Sequence, residues 1–154
     1  MARLSDLPQP QRDHLAGLPC PTFDATPWQT PPTLSECAVA VISTAGLHHR
    51  DDHPFTFDPG DYYRVISSSV PAADLLMSHV SANFDRSGFQ QDWNVVFPLD
   101  RLRDLAREGY IGAAATYHYS FMGAVDPVPL EPTARQLSGV LKADGVDVLL
   151  LVPV

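Results

Sequence analysis

The sequence predicts an α/β domain, a mostly parallel sheet flanked by helices and Rossmann-like in outline, preceded by an extended Pro-rich N-terminal arm. Three observations carry that prediction. The runs Cys37 to Ser43 and Val146 to Val152 are almost wholly apolar and rich in β-branched residues or leucine, as strands covered on both faces must be. Between them lie two segments with apolar residues at three- and four-residue spacing, each bounded by helix-start and helix-stop signals. Residues 1–32 hold seven of the 15 prolines. Each proline fixes φ and removes a backbone donor, so no long helix fits there.

Taken in order, the arm has room for a short helix near Gln11 to Leu18, and its remainder, with Phe23 and Trp28, is expected to lie extended over a neighbouring surface. No regular repeat marks it as a free polyproline ligand. Cys37 to Ser43 is the first strand, turning at Thr44-Ala45-Gly46, and Tyr63 to Ile66 suits a second, shorter one. Pro71 to Met77 fits one turn of helix and a strand equally well. Pro98 opens a helix with Leu99, Leu102, Leu105 and Ala106 on one face, ended by Gly109 as a left-handed cap. Ile111 to Tyr117 is expected to be extended and to deliver His118 to Met122 into a loop. Pro132 opens a second helix, with Ala134, Leu137, Val140 and Leu141 inward and the Ala143-Asp144-Gly145 turn at its end, and Val146 to Val152 closes the sheet. Alternating strands and helices of this kind form α/β folds, which bind ligands beyond the carboxyl ends of their strands. Thr44-Ala45-Gly46 and the position after Val154 fall at such ends. The division is a 1–32 arm and a 33–154 α/β domain, the latter expected to be incomplete without a following segment or a partner chain.

At 154 residues and 16.8 kDa the chain fits one domain with a real core, and 45% apolar composition excludes general disorder. A net charge of -8 and a pI near 4.9 argue against nucleic acid or anionic lipid as partners, since both are gripped by clustered Lys and Arg. No apolar run approaches the roughly 20 residues that cross a bilayer, and the first residues lack a secretory h-region. The chain therefore reads as cytoplasmic. Its cysteines, Cys20 and Cys37, are too few and too far apart for a zinc site or a disulfide scaffold and read as reduced thiols. Cys37 begins an apolar strand, and nothing beside Cys20, between Pro19 and Pro21, lowers its pKa. Gly-x-Gly-x-x-Gly, Walker and Gly-x-Ser-x-Gly patterns are missing.

Several polar positions are candidates for chemistry. His48-His49-Arg50-Asp51-Asp52-His53 gathers possible metal ligands, but its spacing matches no closed zinc pattern, and a solvated loop is expected instead. A metal-dependent hydrolase built on it ranks lowest. The stretch from Ser78 to Asn94 is dense in groups that bind carboxylates or move protons: His79 and Asp92 as catalytic candidates, Arg86 and Asn94 as substrate contacts. In an extended segment Asp92 and Asn94 face one side, although side-chain to backbone bonds within a loop explain them equally. Asp100 suits the positive end of a helix dipole, and Arg101 a pair with Asp104. His118 is the best single candidate, a neutral imidazole placed to protonate a departing amine, with a core histidine held by a carbonyl as the competing reading. Ser120, next to it, and Thr44, at the turn, complete the substrate set.

The run Asp92-Trp93-Asn94-Val95-Val96-Phe97-Pro98-Leu99-Asp100-Arg101-Leu102, followed by Gly109-Tyr110-Ile111-Gly112 and Ser120-Phe121-Met122-Gly123, resembles the B component of the glycine, sarcosine, betaine and D-proline reductases. In that family an "Asp-x-Asn-x-Val-Phe-Pro-x-Asp-Arg-Leu" block precedes a "Gly-x-Ile-Gly" turn and a "Ser-Phe-Met-Gly" block. The resemblance covers roughly residues 33–154, with no counterpart for the arm, and departs from the family at Val80-Ser81-Ala82-Asn83, where acidic or His residues are expected. It implies reductive cleavage of a C–N, or C–S, bond in a small molecule by a cysteine or selenocysteine. That nucleophile is expected just beyond Val154 or on a partner chain, because the family's redox residue follows a strand similar to Asp147 to Val154. The resemblance further implies no cofactor in this chain, a hetero-oligomer inactive without its second polypeptide, and a pyruvoyl group on the partner if processing occurs beside a cysteine. A non-catalytic binding or assembly module of the same fold is the alternative.

Overall fold

In the computed structural model, which describes residues 4–19, 22, 24, 29–56, 58, 60–81 and 84–154, the first apolar run forms β1, Ala38–Ser43. Its alternating Val39, Val41 and Ala40, Ile42 feed two separate cores, one on each face of the sheet. On one side β1 pairs in parallel with β7, Val148–Val152. On its other side it pairs in parallel first with β5, Ala113–Ala114, and then with β6, Tyr117–Phe121, which continue one another across a break at Ala115 and Thr116. β3, Tyr63–Ser67, lies outside β6 and runs antiparallel to it. The α/β class holds, and the sheet is mostly but not purely parallel. A separate antiparallel pair joins β2, Leu47–His49, to β4, Leu75–Met77.

Helices cover both faces. α3, Leu99–Arg107, lays Leu99 and Leu102 with Trp93, Val96 and Phe97 over Val39, Val41 and Ile66. α4, Glu131–Ala143, sets Leu137 and Leu141 against Ala40, Tyr119 and Phe121. The left-handed Gly109, with φ 79°, ends α3 as anticipated. α1, Gln9–Ala16, buries no residue, and α2, Ser87–Gln91, is a short turn of helix before a 3-10 turn at Trp93–Val95. Among the described residues no helix is long and apolar enough to cross a membrane.

Five expectations change. Leu105 and Val140, placed inward by their spacing, are 37% and 46% exposed, because each helix meets the sheet along one narrow stripe. Ala134 is likewise exposed. His118 to Met122 does not enter a loop: Tyr-His-Tyr-Ser-Phe alternates with period two and forms β6 itself. His48 and His49 do not form a solvated loop either, because Leu75–Met77 pairs with their backbone as β2. Pro71 to Met77 resolves into both options, a 3-10 turn at Ala72–Asp74 and then β4. The closing strand is also not buried through its length, since Leu149, Leu150 and Leu151 are exposed. Cys20, Phe23 and Trp28 of the arm lie outside the described residues.

Candidate functional site

Three polar side chains are sealed inside the sheet: Ser43, His118 and Ser120. Each satisfies a backbone group where the sheet is irregular. Ser43 Oγ donates to the Val96 carbonyl at 2.7 Å and accepts from the Ala45 amide at 3.2 Å. The Leu47 amide donates to Ser120 Oγ at 2.7 Å, and the Val41 amide to His118 Nδ1 at 2.9 Å. Because Nδ1 accepts, the proton sits on Nε2, which is buried without a hydrogen-bond partner; Phe97 packs edge-on to the ring at 6.0 Å. Burial, aided by the Arg103 charge, lowers the His118 pKa to about 4, so the ring is neutral near pH 7.

The carboxyl ends of β1, β6 and β7 meet at a rim built from close backbone contacts. Thr44 Oγ1 accepts from the Val154 amide at 2.8 Å and donates to the Val154 carbonyl at 3.3 Å. The Gly123 amide donates to the Thr44 carbonyl at 3.0 Å, and a Cβ on Gly123 would stand 2.8 Å from that oxygen, so only glycine fits. Ala45 bridges Met122, and Gly46, with φ 66°, accepts from the Ser78 amide. A Cβ on Gly46 would stand 3.0 Å from His79 Cα, which brings His79 against the β1 turn.

His79 resembles His118 in its bonding. The Ser81 amide donates to its Nδ1 at 3.2 Å, leaving Nε2–H buried and unpartnered, with Phe84 packed at 4.8 Å. Arg86 donates to the carbonyls of His79 and Ser81. Burial first, then the Arg86 charge, lowers the His79 pKa. The Val80 amide meets Sδ of Met122, a buried residue, at 3.4 Å.

Asp92 and Asn94 form a different structure. The Asp92 carboxylate accepts from the Asn94 amide and side chain at 2.9 and 2.8 Å. Asn94 donates to Asp100 at 3.0 Å and accepts from the Asp100 amide, and Trp93 Nε1 donates to Asp100 at 2.9 Å. Arg103 completes the clasp at 2.6 Å and reaches on to the Ser68 carbonyl. Burial pushes the Asp100 carboxyl up, but hydrogen bonds from Asn94, Trp93 and Arg103 outweigh it and hold it below the usual range. Bonds from Asn94 do the same for Asp92. Arg103 was missed in favour of Arg101, whose pair with Asp104 at 3.3 Å is exposed. The spacing from Asp100 could have identified Arg103, because i and i+3 are neighbours on a helix.

The structure thus sets Thr44 at the rim, His79 against Gly46 two residues on, and Arg86 on the His79 carbonyl, and seals His118 and Ser120 within the sheet. Asp92 and Asn94 stand at the start of α3. His48 is buried with Nδ1 2.9 Å from the His49 carbonyl, and among the described residues no three His, Cys, Asp or Glu side chains gather as a metal site would require. Cys37 is fully buried, and burial, then Asp147 and Glu36, push its thiol pKa up.

Comparison with known proteins adds the following. Residues 10–153 match the model of the glycine/sarcosine/betaine reductase selenoprotein B family, which extends the likeness into the arm. The chain is 35% identical over 130 residues to D-proline reductase subunit gamma of Acetoanaerobium sticklandii, covering 81% of this chain and 52% of that protein. It is 31% identical over 140 residues to sarcosine reductase complex component B subunit beta of Peptoclostridium acidaminophilum, covering 86% of this chain and 32% of the relative. Glycine reductase complex component B subunit gamma of Symbiobacterium thermophilum is 29% identical over 141 residues, with coverages of 86% and 32%. The chain therefore spans about half the length of the first of these relatives and about a third of the other two. No solved structure matches it.

Proposed function

The chain belongs to the glycine/sarcosine/betaine reductase selenoprotein B family, and from that premise we propose that it is a subunit, or the amino-terminal part of one, of a reductase complex cleaving a C–N bond in a small amino-acid-like molecule. The family match across residues 10–153 carries this reading. The relatives are named for D-proline, sarcosine, betaine and glycine, and we extend that substrate class, a carboxylate next to a nitrogen-bearing carbon, to this chain.

The rim supports the reading. Parallel α/β sheets bind ligands beyond their carboxyl ends, and Thr44 ties Val154 to that edge, beside the segment that carries His79 and Arg86. A neutral N–H and a guanidinium favour an anion, either the substrate carboxylate or a thiolate or selenolate. Cys37 is sealed and its thiol pKa raised, which sets it aside as the nucleophile, and a position past Val154 or a second polypeptide is the source this reading assigns. His79, Arg86 and Thr44 receive the substrate-side roles. His118, Ser120, Asp92 and Asn94 hold the scaffold that presents them.

The burial of Cys37 also favours a second reading, an assembly module without chemistry of its own. One experiment separates the two. The complex is purified from its native source, the intact masses of all chains are recorded before and after a carbonyl reagent, and C–N cleavage is followed with a dithiol reductant, as amine released from sarcosine, betaine and glycine and as the ring-opened amino acid formed from D-proline. A redox cysteine, selenocysteine or carbonyl terminus in the complex, with C–N cleavage that falls at least tenfold in His79→Gln, is the expected result. C–N cleavage unaffected by His79→Gln and Arg86→Gln selects the assembly module. A lone 16.8 kDa species cleaving none of the four overturns the reductase reading.

A further inference from the structure

The two edges of the sheet are built differently. β3, at one edge, carries Arg64, paired with Asp61 and Asp52, ends in Ser67 and is followed by Ser68 and Ser69. Charge and polarity of this kind blunt an edge against further pairing. β7, at the other edge, reads Val-Leu-Leu-Leu-Val, with no charge, no proline and no glycine. Among the described residues, β1 alone pairs with it.

Its side chains are also uncovered on both faces. Val148 and Val152 join the core beneath α3, so by strand alternation Leu150 shares their face while Leu149 and Leu151 point to the α4 face. Leu149, Leu150 and Leu151 are 41%, 38% and 65% exposed. A composition suited to the interior of a parallel sheet thus stands at an edge, open laterally and on both faces.

We infer that the free edge of β7 is the docking surface for the second polypeptide of the complex, which adds an apolar strand parallel to β7 and covers Leu149 to Leu151 with its own helices. This rests on the reading that such a partner exists. A second copy of this chain fits less well. Two-fold pairing of β7 with itself would run antiparallel against the parallel set of β1, β5, β6 and β7, and would join two bodies of net charge -8. The relatives, in contrast, are named as subunits of reductase complexes, in which a different polypeptide is present to supply such a strand. A parallel strand set about 4.8 Å from β7 ends at the rim where Thr44 binds Val154, so docking there also delivers the partner's strand end to the proposed site.

The test uses the complex from its native source. A photo-crosslinking amino acid replaces Leu149 in one sample and Val65 on β3 in another, and the linked peptides are sequenced by mass spectrometry. The expected product is an apolar peptide of a different polypeptide linked at position 149, with none at 65. Leu151→Lys should leave the circular dichroism and thermal midpoint of the chain unchanged while retention of the partner falls roughly tenfold or more. A product joining two copies of this chain or two parts of one polypeptide, no product at 149, or full retention in Leu151→Lys overturns the inference. The two levels fail separately: cross-linking to a partner in a complex that cleaves no C–N bond removes the reductase reading alone, and full turnover in Leu151→Lys removes the docking surface alone.

Discussion

His118 fills a gap in the central ladder. β5 pairs with Ala38 and Val39, β6 with Ile42 and Ser43, and between them the Val41 amide turns to the imidazole rather than to a strand carbonyl. That bond needs a neutral ring. Its pKa is about 4 folded against 6.5 in the unfolded chain, so the unfolded state binds more protons between those values. Stability is therefore full above about pH 6.5 and falls as pH drops toward 4, by about 3 kcal/mol at most from this group. Urea unfolding from pH 7 to 4 should show that loss in the native chain. In His118→Asn the slope should shrink to the part left by His79 and the hydrogen-bonded carboxylates, with stability at pH 7 lower by ~1–3 kcal/mol because the Val41 amide loses its acceptor. An equal pH slope in both proteins would assign the acid sensitivity elsewhere. Sequence left His118 open between acid catalyst and core group, yet the alternation of Tyr117 to Phe121 would have put it on the face under α3 had that segment been read as a strand.

At the scale of elements, the block that most specifically signals the family is a helix-start clasp. Asp92 orders Asn94, Asn94 and Trp93 bind Asp100, Arg103 joins Asp100 to the Ser68 carbonyl, and Phe97 and Leu102 fill the core below. The spacing between these residues was visible in the sequence. Their purpose was not, because Asp, Asn and Arg serve architecture and chemistry equally and only the closed set of bonds tells them apart. Asn94→Ala removes three side-chain bonds, those to Asp92, to Asp100 and from the Asp100 amide, in a half-buried setting. It should lower stability by about 1–2 kcal/mol in urea unfolding while leaving substrate affinity of the complex within about twofold. A selective loss of affinity at unchanged stability would return Asn94 to the substrate-contact role. Helix positions, the Gly109 cap and β1 were legible because periodicity and terminator residues act locally. The exposure of Leu105, Val140 and β7 was not, because it depends on what packs beside each element.

The whole molecule has its stability concentrated in the sheet. β1 is held on both sides, by β7 and by β5 with β6, and is covered on both faces by α3 and α4, so no local motion frees its amides. α1 has the opposite situation. It has eight residues, none buried, its preceding cap residue Pro8 makes no side-chain capping bond, and isolated helices shorter than about 12–15 residues are marginal in water. Native-state hydrogen exchange should therefore divide the chain. Amides of Val39 to Ile42 should exchange only through global unfolding, with protection that falls with urea at the full equilibrium slope. Amides of Gln11 to Ala16 should exchange near the rate of an unfolded peptide and be insensitive to low urea. β7 should lie between them in the isolated chain, since one of its sides is open, and should rise to the protection of β1 in the complex, where a parallel strand lies against it. Equal protection of α1 and β1 in the isolated chain would mean that the amino-terminal helix is anchored in the folded domain. Unchanged exchange at β7 on complex formation would leave that edge open and remove the strand that the docking surface requires.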